Sequence, residues 1–310
     1  METILNLLSL SEARRAEFLS AAQGQEQLFF DNGAQPDEAD YARATVILGN
    51  PPADMLRRCR RLKLLQTRSA GLNPYDQPGV LPEGAELRSA SGAYGHSVSE
   101  HLFALLLALM KRLNAYRDQQ RGGAWRDLRA AKSLLNARVL CVGTGDLGSS
   151  FALLCKAFGA QTAGVRRNAE LAAPGIDAMY GMDALDALLP LADVVTLTLP
   201  QSPDTVRLLD RRRLLLMKPD AILLNGGRGS AVDCGALAEV LAGGHLWGAG
   251  LDVTEPEPLP SDHPLWRQER ALITPHVAGG NHLPDTADRV AAIALAHLRD
   301  YLAAAQDEGK

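Results

Sequence analysis

Hydrophobic and polar positions alternate along the first ninety residues in a way that predicts short strands separated by helices. Short apolar runs of this length are typical of buried strands. The predicted strands are Thr3–Leu8, Gln27–Phe30, Thr45–Leu48, Lys63–Thr67 and Glu86–Arg88. The intervening segments have helical spacing and composition, at Ser11–Ala22, Glu38–Ala44 and Asp54–Arg61. Alternation of strands and helices predicts a mostly parallel sheet covered by helices.

A second series of the same kind begins after Ala137. Its predicted strands are Arg138–Val142, Gln161–Val165, Val194–Leu199, Ala221–Asn225, Gly248–Val253 and Leu272–Ile273. Its predicted helices are Leu147–Phe158, Ala184–Leu189, Arg211–Met217 and Gly235–Ala242. Two further helices flank the series. Ser97–Arg112 is apolar on more than one face, so we expect it to be buried between domains or subunits, and Asp285–Ala304 is expected to pack on the first series.

The length of the chain favours two domains. Single hydrophobic cores stop growing near ~250–300 residues, and this chain has 310. We predict an α/β fold of two doubly wound, parallel-sheet domains that are Rossmann-like or flavodoxin-like. One domain comprises residues 1–95 with 283–310, and residues 96–282 form the other, which is inserted into the first.

Composition and charge narrow the class of protein. Hydrophobic residues make up 46% of the chain, which is typical of a globular protein. The net charge is −4, so the chain has no excess of positive charge that would predict a nucleic-acid or membrane partner. The N-terminal residues lack the positive flank and apolar core of a signal peptide, which predicts a cytoplasmic protein. No metal site is expected, because the cysteines are scattered without paired spacing: Cys59, Cys141, Cys155 and Cys234.

A glycine-rich turn follows the first strand of the second series. It reads Gly143-Thr144-Gly145-Asp146-Leu147-Gly148 and precedes a predicted helix. In such a turn the first glycine permits the tight bend, the second lets a pyrophosphate approach the backbone, and the third allows close helix–strand packing. The free N–H groups at the start of the helix face the anion. We therefore predict that this turn binds a dinucleotide.

The end of the next strand indicates which dinucleotide is bound. A carboxylate about 20 residues after the turn usually accepts hydrogen bonds from the ribose of NAD. This chain has Arg166-Arg167 instead, and two guanidinium groups can pair with the 2′-phosphate of NADP. We predict NADP, with NAD possible. The alternative is that one arginine stacks on adenine and the enzyme uses both cofactors.

Three later segments each place a charged or titratable group after a predicted buried strand. Arg228 lies in Asn225–Gly229, Glu257 in Leu251–Pro260, and His276 in Ile273–Gly280. Ligands of open α/β sheets bind at the carboxyl ends of the strands, so these side chains are candidates for one active site.

Together with the glycine turn, these segments resemble the signature set of the D-isomer-specific 2-hydroxyacid dehydrogenases. The resemblance covers nearly the whole chain and includes Ser97–His101 and His263–Trp266. It implies an NAD(P)-dependent oxidoreductase that reduces a 2-oxoacid to a D-2-hydroxyacid. It also implies that residues 1–95 with 283–310 are the substrate domain, that residues 96–282 bind the nucleotide, and that the protein is a homodimer.

The chemistry of carbonyl reduction suits the three candidate catalytic residues. Hydride addition builds negative charge on the carbonyl oxygen, which requires a proton donor and a fixed cation. An imidazole such as that of His276 can give the proton in one direction and take it in the other. The resemblance implies that Glu257 is its acidic partner. Glu255 is the competing choice, but the Glu-Pro-Leu-Pro pattern favours Glu257. Arg228 is predicted to bind the substrate.

The resemblance implies further contacts. Asp252 would contact the nicotinamide amide, Ala70 and Gly71 would receive the substrate carboxylate, and other residues would line the cofactor cleft: Pro200, Thr205, Gly226 and Gly279. The sequence departs from well-known members at Gly71–Asp76 and at Ala90–His96, so the natural substrate stays open. His282 is a further candidate to face the cleft.

Related proteins with other functions remain alternatives. Transcriptional corepressors resemble this family and use the nucleotide as a sensor for partner binding. Formate dehydrogenases pair the histidine with glutamine, and Glu257 argues against them. Phosphoglycerate dehydrogenases often carry C-terminal regulatory domains, whereas this sequence ends at Lys310.

Overall fold

The chain forms two compact units, each built around its own sheet. The computed structural model describes residues 1–30, 34–280 and 283–307. The first unit comprises Met1–Tyr94 with Asn281–Lys310, and the second comprises Gly95–Gly280. The second unit is thus an insertion in the sequence of the first. Both sheets are entirely parallel, which confirms the predicted α/β fold.

The elements of the first unit follow the predicted alternation. Its strands are β1 (Thr3–Asn6), β2 (Glu26–Phe29), β3 (Val46–Leu48), β4 (Leu64–Gln66) and β5 (Glu86–Arg88). The helices between them are α1 (Glu12–Ala21), α2 (Glu38–Arg43) and α3 (Ala53–Leu56). The side chain of Ser11 caps α1 and that of Asp37 caps α2, which satisfies backbone N–H groups that have no partner within the helix.

The sheet of the first unit has the flavodoxin-like order β2-β1-β3-β4-β5. Leu5 of β1 lies opposite Leu28 of β2 and Ile47 of β3. The alternate residues of these strands enter a core that includes fully buried Ile47 and Leu65. Strand register is well determined here, because a slip by one residue would move the apolar set to the other face.

The second unit contains seven strands and six helices among the described residues. Its strands are β6 (Arg138–Val142), β7 (Gln161–Val165), β8 (Ala178–Tyr180), β9 (Val194–Leu197), β10 (Ile222–Asn225), β11 (Gly248–Leu251) and β12 (Ala271–Ile273). Its helices are α4 (Gly95–Met110), α5 (Leu113–Arg121), α6 (Asp146–Ala157), α7 (Leu185–Leu188), α8 (Arg211–Leu216) and α9 (Cys234–Ala242).

The order of the second sheet determines which loops are neighbours. Its strands run β12-β11-β10-β9-β6-β7-β8, all parallel. In a parallel sheet the carboxyl ends of all strands meet at one edge. The loops that follow β6, β9, β10, β11 and β12 therefore share that edge, although they are spread over more than a hundred residues of sequence.

Helix α4 is buried within its own unit. Phe103 packs at 6.4 Å from Phe151 of α6 and at 5.0 Å from Phe158, measured between ring centroids. On the other side Leu105 lies against Gly250 of β11. Within this unit α6 and the sheet cover much of the apolar surface of α4, and the expected burial between domains or subunits stays a prediction. No helix among the described residues has the length and apolar character needed to cross a membrane.

The closing helix α10 (Pro284–Asp307) belongs to the first unit. Arg14 of α1 makes two hydrogen bonds of 2.7 Å to the carboxylate of Asp288, and the guanidinium holds the pKa of Asp288 below its usual value. His297 bonds through Nδ1 to the side chain of fully buried Gln66 in β4. These contacts hold α10 against α1 and against β4.

Three elements differ from the predicted pattern. Helix α3 ends at Leu56, and tighter turns follow in which Cys59 and Leu62 are buried. Helix α5 was not predicted, because its sequence is mostly polar and it buries no residue. Strand β8 was also missed, since it is a short edge strand of three residues with none buried.

Candidate active site

The glycine turn packs tightly between β6 and α6. Gly143 has a φ of +93°, which favours glycine, and its carbonyl accepts a 2.8 Å hydrogen bond from the hydroxyl of Thr198. A side chain at Gly148 would overlap the Gly143 carbonyl. Both glycines are therefore required by the geometry of the turn itself.

The start of α6 has free hydrogen-bond donors that fit an anion. Gly145 is the N-cap residue and provides no side-chain cap to the helix. The N–H groups of Asp146, Leu147 and Gly148 lie in the first helical turn, where no carbonyl of the helix can accept them. A Cβ at Gly145 would meet nothing within 4 Å, so the turn is open on that side. These groups fit the pyrophosphate of a dinucleotide.

The side chain of Asp146 packs against the first residue of α4. A Cβ at Gly95 would overlap the Asp146 carboxylate, so this approach requires glycine. One carboxylate oxygen is buried and has no hydrogen-bond partner among the described residues. The positive end of the α4 dipole favours a negative charge at this position.

Arg166 and Arg167 follow β7, directly beside the glycine turn. The N–H of Gly143 donates to the carbonyl of Val165 over 2.9 Å, which joins the ends of β6 and β7. Within the described ranges, no carboxylate lies within 4.0 Å of either guanidinium; Arg166 reaches only the Leu171 carbonyl, at 3.5 Å. Both cations are therefore available to a ligand at the turn.

His276 and Glu257 form a hydrogen-bonded pair. Nδ1 of His276 lies 2.9 Å from Oε2 of Glu257, and Oε1 of the same carboxylate accepts the N–H of Thr254 over 3.0 Å. Of the two competing glutamates, Glu257 is thus the one that reaches the imidazole. Nε2 has no partner in the part of the chain that the structure describes, and the His276 side chain is 53% exposed. The pair leaves Nε2 free for proton transfer.

The backbone of His276 is in an unusual conformation. Its φ is +53°, in the left-handed region that costs a residue with a side chain on the order of 1–3 kcal/mol. Its N–H donates to the carbonyls of Asp252, at 2.8 Å, and Thr274, at 3.0 Å. Surrounding hydrogen bonds must therefore hold the loop in this conformation.

Asp252 is the centre of that network. It is 2% exposed, and its carboxylate accepts three hydrogen bonds: from the hydroxyl of Thr274 at 2.6 Å and from the N–H groups of Val277 and Ala278 at 3.0 Å each. Ser97 of α4 donates to the Ala278 carbonyl over 2.7 Å. The resemblance implies that Asp252 contacts the nicotinamide, which stays a prediction, and the structure shows that Asp252 organises the loop that carries His276.

His101 supports this loop from α4. Its Nε2 lies 2.9 Å from Oγ1 of Thr274 and 3.7 Å from Oδ1 of Asp252. Sequence reasoning did not identify Thr274 or Ser97. The only local signal for such a supporting role is a polar residue within a segment that is otherwise apolar or turn-forming. This signal is weak, because polar residues are common on surfaces.

The loop after β10 presents Arg228. The side chain of fully buried Asn225 accepts the N–H of Gly227 at 3.1 Å and donates to the carbonyl of Arg228 at 3.0 Å, which fixes the turn. One guanidinium nitrogen donates to the Gly227 carbonyl over 2.8 Å. No carboxylate within the described ranges lies within 4.0 Å of this half-buried guanidinium. Its remaining N–H groups are available to an anionic substrate.

Close glycine packing brings the loops after β10 and β11 together. A side chain at Gly229 would overlap the backbone of Thr254, and one at Gly226 would strike Leu102 of α4. Thr254 is also the residue whose N–H binds Glu257. The Arg228 loop therefore packs directly on the loop that holds the partner of His276.

The remaining predicted cofactor residues lie on the same edge. Thr205 is 9% exposed and its hydroxyl donates to the Pro200 carbonyl over 2.9 Å, so it closes the loop after β9. Gly279 directly follows Ala278, whose N–H binds Asp252. His282 lies outside the described residues.

The predicted substrate loop follows β4 in the first unit. Its conformation is built by side chains: Asn50 accepts the N–H of Arg68 at 2.8 Å, and the hydroxyl of Ser69 donates to the Gly71 carbonyl at 2.7 Å. The N–H groups of Ala70 and Gly71 donate to no acceptor among residues 1–30, 34–280 and 283–307. Two adjacent free donors on a fixed loop fit a carboxylate.

This architecture belongs to dehydrogenases that bind a nicotinamide dinucleotide at the carboxyl edge of a parallel sheet. Comparison with known proteins identifies the family. A family model described as D-isomer specific 2-hydroxyacid dehydrogenase, NAD binding domain, matches residues 103–278. The chain belongs to the D-isomer specific 2-hydroxyacid dehydrogenase family.

Individual relatives agree with this assignment. A crystal structure of a D-isomer specific 2-hydroxyacid dehydrogenase family protein from Aeromonas salmonicida superposes with a TM-score of 0.81 at 34% identity, covering 97% of this chain and 95% of that one. Glyoxylate/hydroxypyruvate reductase A of Serratia proteamaculans is 32% identical, over 83% of this chain and 82% of its own length. D-3-phosphoglycerate dehydrogenase of Mycobacterium tuberculosis is 33% identical over 73% of this chain, but the match spans only 42% of that protein.

Proposed function

We propose that the protein reduces the C2 carbonyl of a 2-oxoacid with NADPH to give a D-2-hydroxyacid. The observation that carries this proposal is the hydrogen bond of 2.9 Å between His276 and Glu257. Buried Asp252 maintains the conformation of the loop that carries His276. An exposed imidazole with one nitrogen bound to a carboxylate is suited to transfer a proton at the other nitrogen.

Reduction adds a hydride to the carbonyl carbon and a proton to its oxygen. The nicotinamide, when bound, supplies the hydride. Nε2 of His276 gives the proton, while the carboxylate of Glu257 orients the ring through Nδ1 and balances the charge of the imidazolium. In the reverse direction the same nitrogen accepts the proton of the hydroxyl group.

Substrate binding is assigned to two sets of donors. Arg228 pairs with the substrate carboxylate and stabilises the negative charge that develops on the carbonyl oxygen. The free N–H groups of Ala70 and Gly71 also receive the carboxylate. Residues 1–95 with 283–310 are accordingly proposed as the substrate domain and residues 96–282 as the nucleotide-binding domain.

The cofactor is assigned to the edge that carries the glycine turn. The backbone at Gly143–Gly148 binds the pyrophosphate. The nicotinamide end is lined by Asp252, Gly279 and Gly226 and by the Pro200–Thr205 loop. NADP is proposed over NAD because Arg166 and Arg167 replace the ribose-binding carboxylate and pair with no carboxylate among the described residues.

Changing both arginines to alanine tests the NADP assignment. The double variant should bind NADPH at least ~10-fold more weakly, because hydrogen bonds to charged groups contribute about 1.5–3 kcal/mol each, whereas NADH binding should change little. Dissociation constants for both nucleotides, from quenching of protein fluorescence, give the comparison. Equal weakening of NADPH and NADH would show that the arginines do not select the 2′-phosphate.

The activity itself is tested by a panel of 2-oxoacids with NADPH and NADH, followed by absorbance of the reduced nucleotide. Steady oxidation with at least one 2-oxoacid, and D configuration of the product, are expected. Nucleotide binding without turnover on a broad panel would instead favour a sensor that resembles the corepressors of this fold.

We also propose a homodimer and a cytoplasmic location. Helix α5 and the segment after it expose Leu113, Tyr116 and Trp125, which are 54%, 38% and 103% exposed, and an aromatic surface of this kind is typical of an interface. Sedimentation of the purified protein should give twice the chain mass of 33.2 kDa. The four cysteines are buried and unpaired, as is usual in reducing compartments.

A further inference from the structure

Charged residues are few directly after the strands of the first sheet, at its carboxyl edge. The residues that directly follow β1, β3, β4 and β5 are 7–11, 49–52, 67–72 and 89–94, and the connection after β4 continues to residue 85 with Asp76 and Glu83 further on. In these four segments Arg68 is the only charged residue. Because ligands of open parallel sheets bind outside this edge, the charge of Arg68 bears on which ligand the first unit accepts.

The backbone of Arg68 is held on both sides. Its N–H donates to Oδ1 of Asn50 over 2.8 Å, and its carbonyl accepts the hydroxyl of Tyr94. Nδ2 of Asn50 also donates to the hydroxyl of Ser69, at 3.1 Å. The loop thus presents Arg68 from a fixed position, two residues before the free N–H of Ala70.

The guanidinium of Arg68 is exposed and lies near two buried tyrosines. Burial raises the pKa of Tyr75 and of Tyr94, and the positive charge of Arg68 opposes that rise in both. No carboxylate within the described ranges approaches the Arg68 guanidinium to 4.0 Å. Other arginines of the first unit, such as Arg14 and Arg43, do pair with carboxylates.

We propose that Arg68 binds a second anionic group on the substrate, so that the enzyme prefers 2-oxoacids with a distal carboxylate or phosphate. The inference rests on the proposed function. The proposed function assigns the carboxylate next to the carbonyl to Ala70, Gly71 and Arg228, so that a substrate with one negative charge would leave Arg68 without a partner. A guanidinium matches either anion through two parallel hydrogen bonds.

The reaction is unchanged by the second anion. One hydride from NADPH is added to C2 and one proton from His276 to its oxygen, which yields NADP⁺ and the 2-hydroxy form of the same doubly charged acid. The distal group takes no part in bond making or breaking. Arg68 therefore acts as a specificity-determining residue, and its loss should affect some substrates far more than others.

Pairs of substrates whose distal group is charged in one member and neutral in the other test the proposal. Suitable pairs are 2-oxoglutarate with 2-oxopentanoate, oxaloacetate with 2-oxobutanoate, and 3-phosphohydroxypyruvate with hydroxypyruvate. The wild-type kcat/KM should be at least ~10-fold higher for the charged member of at least one pair. A preference for the charged member of the first two pairs would identify the distal group as a carboxylate. A preference confined to the third pair would identify it as a phosphate.

Two variants complete the experiment. Arg68→Gln should lower kcat/KM for the preferred doubly charged substrate at least ~10-fold and for its singly charged counterpart by less than ~3-fold. Arg68→Lys should retain part of the preference. Arg60→Gln is the matched control, because this exposed arginine lies before β4, at the opposite edge of the sheet, and its loss should leave the ratio unchanged.

The outcomes separate this inference from the proposed function. Equal kcat/KM values within every pair, or an equal loss on both members with Arg68→Gln, would overturn the assignment of Arg68 while leaving the reductase intact. Absence of turnover with all six substrates, in protein that still binds NADPH, would overturn both.

Discussion

His276→Ala is expected to lower kcat for 2-oxoacid reduction by at least ~10²-fold while NADPH binding stays near the wild-type value. The imidazole is the more exposed member of the pair with Glu257, and under the proposed function its removal leaves the carbonyl oxygen without a proton donor. The proposed binding site of the nucleotide is the glycine turn, on a different loop. Steady-state kinetics combined with NADPH titration measures the two effects separately.

The left-handed backbone at His276 requires a second variant. Alanine tolerates a φ of +53° poorly, so His276→Ala changes the loop as well as the acid. Asparagine is enriched in this region, and His276→Asn should therefore preserve the loop and still lose activity. His245→Gln is the matched control, because the one hydrogen bond that this ring makes among the described residues is to the Met217 carbonyl, at 3.1 Å. If the His276 variants lost NADPH binding in proportion to the loss of kcat, His276 would have a role other than proton transfer.

The second large effect is expected at Arg228. Arg228→Gln should reduce kcat/KM by roughly 10²–10³-fold, the loss that removal of a single donor to a developing oxyanion typically causes. The guanidinium is held by the turn that Asn225 fixes, so its free N–H groups already point in a defined direction. Such preorganisation makes the interaction stronger in the transition state than in the ground state.

Conservative variants sharpen this prediction. Arg228→Lys keeps the charge but loses the forked geometry, and we expect activity between those of wild type and Arg228→Gln. Arg211 lies on α8, where its exposed side chain pairs with Glu239. Arg211→Gln removes this pair and is the control variant, which should leave activity unchanged. If Arg228→Gln kept more than a third of the wild-type kcat/KM with every substrate, the guanidinium would not bind the reacting group.

Much of the fold could be predicted because local patterns carry it. Strands β6 and β7 begin and end where the apolar runs do, and glycines mark the turn between β6 and α6. The pattern failed where an element buries little. Helix α5 is mostly polar and buries no residue, and edge strand β8 has three residues with none buried, so neither has a long apolar run to detect. The apolar pattern also could not identify what covers α4. A helix that is apolar on several faces has the same sequence pattern whether another element, another domain or another subunit covers it.

The sequence by itself determined the residue types at the site: a glycine turn, two arginines in place of a carboxylate, and an arginine, two glutamates and a histidine after strands. Only the tertiary structure decided which of them meet. Glu255 and Glu257 are two residues apart, and the bond from Glu257 to Thr254 turns the second toward His276. The support of His276 comes from Asp252, which binds N–H groups 25 and 26 residues away. Contacts of that range depend on strand order, and strand order is set by the packing of the whole sheet rather than by any local pattern.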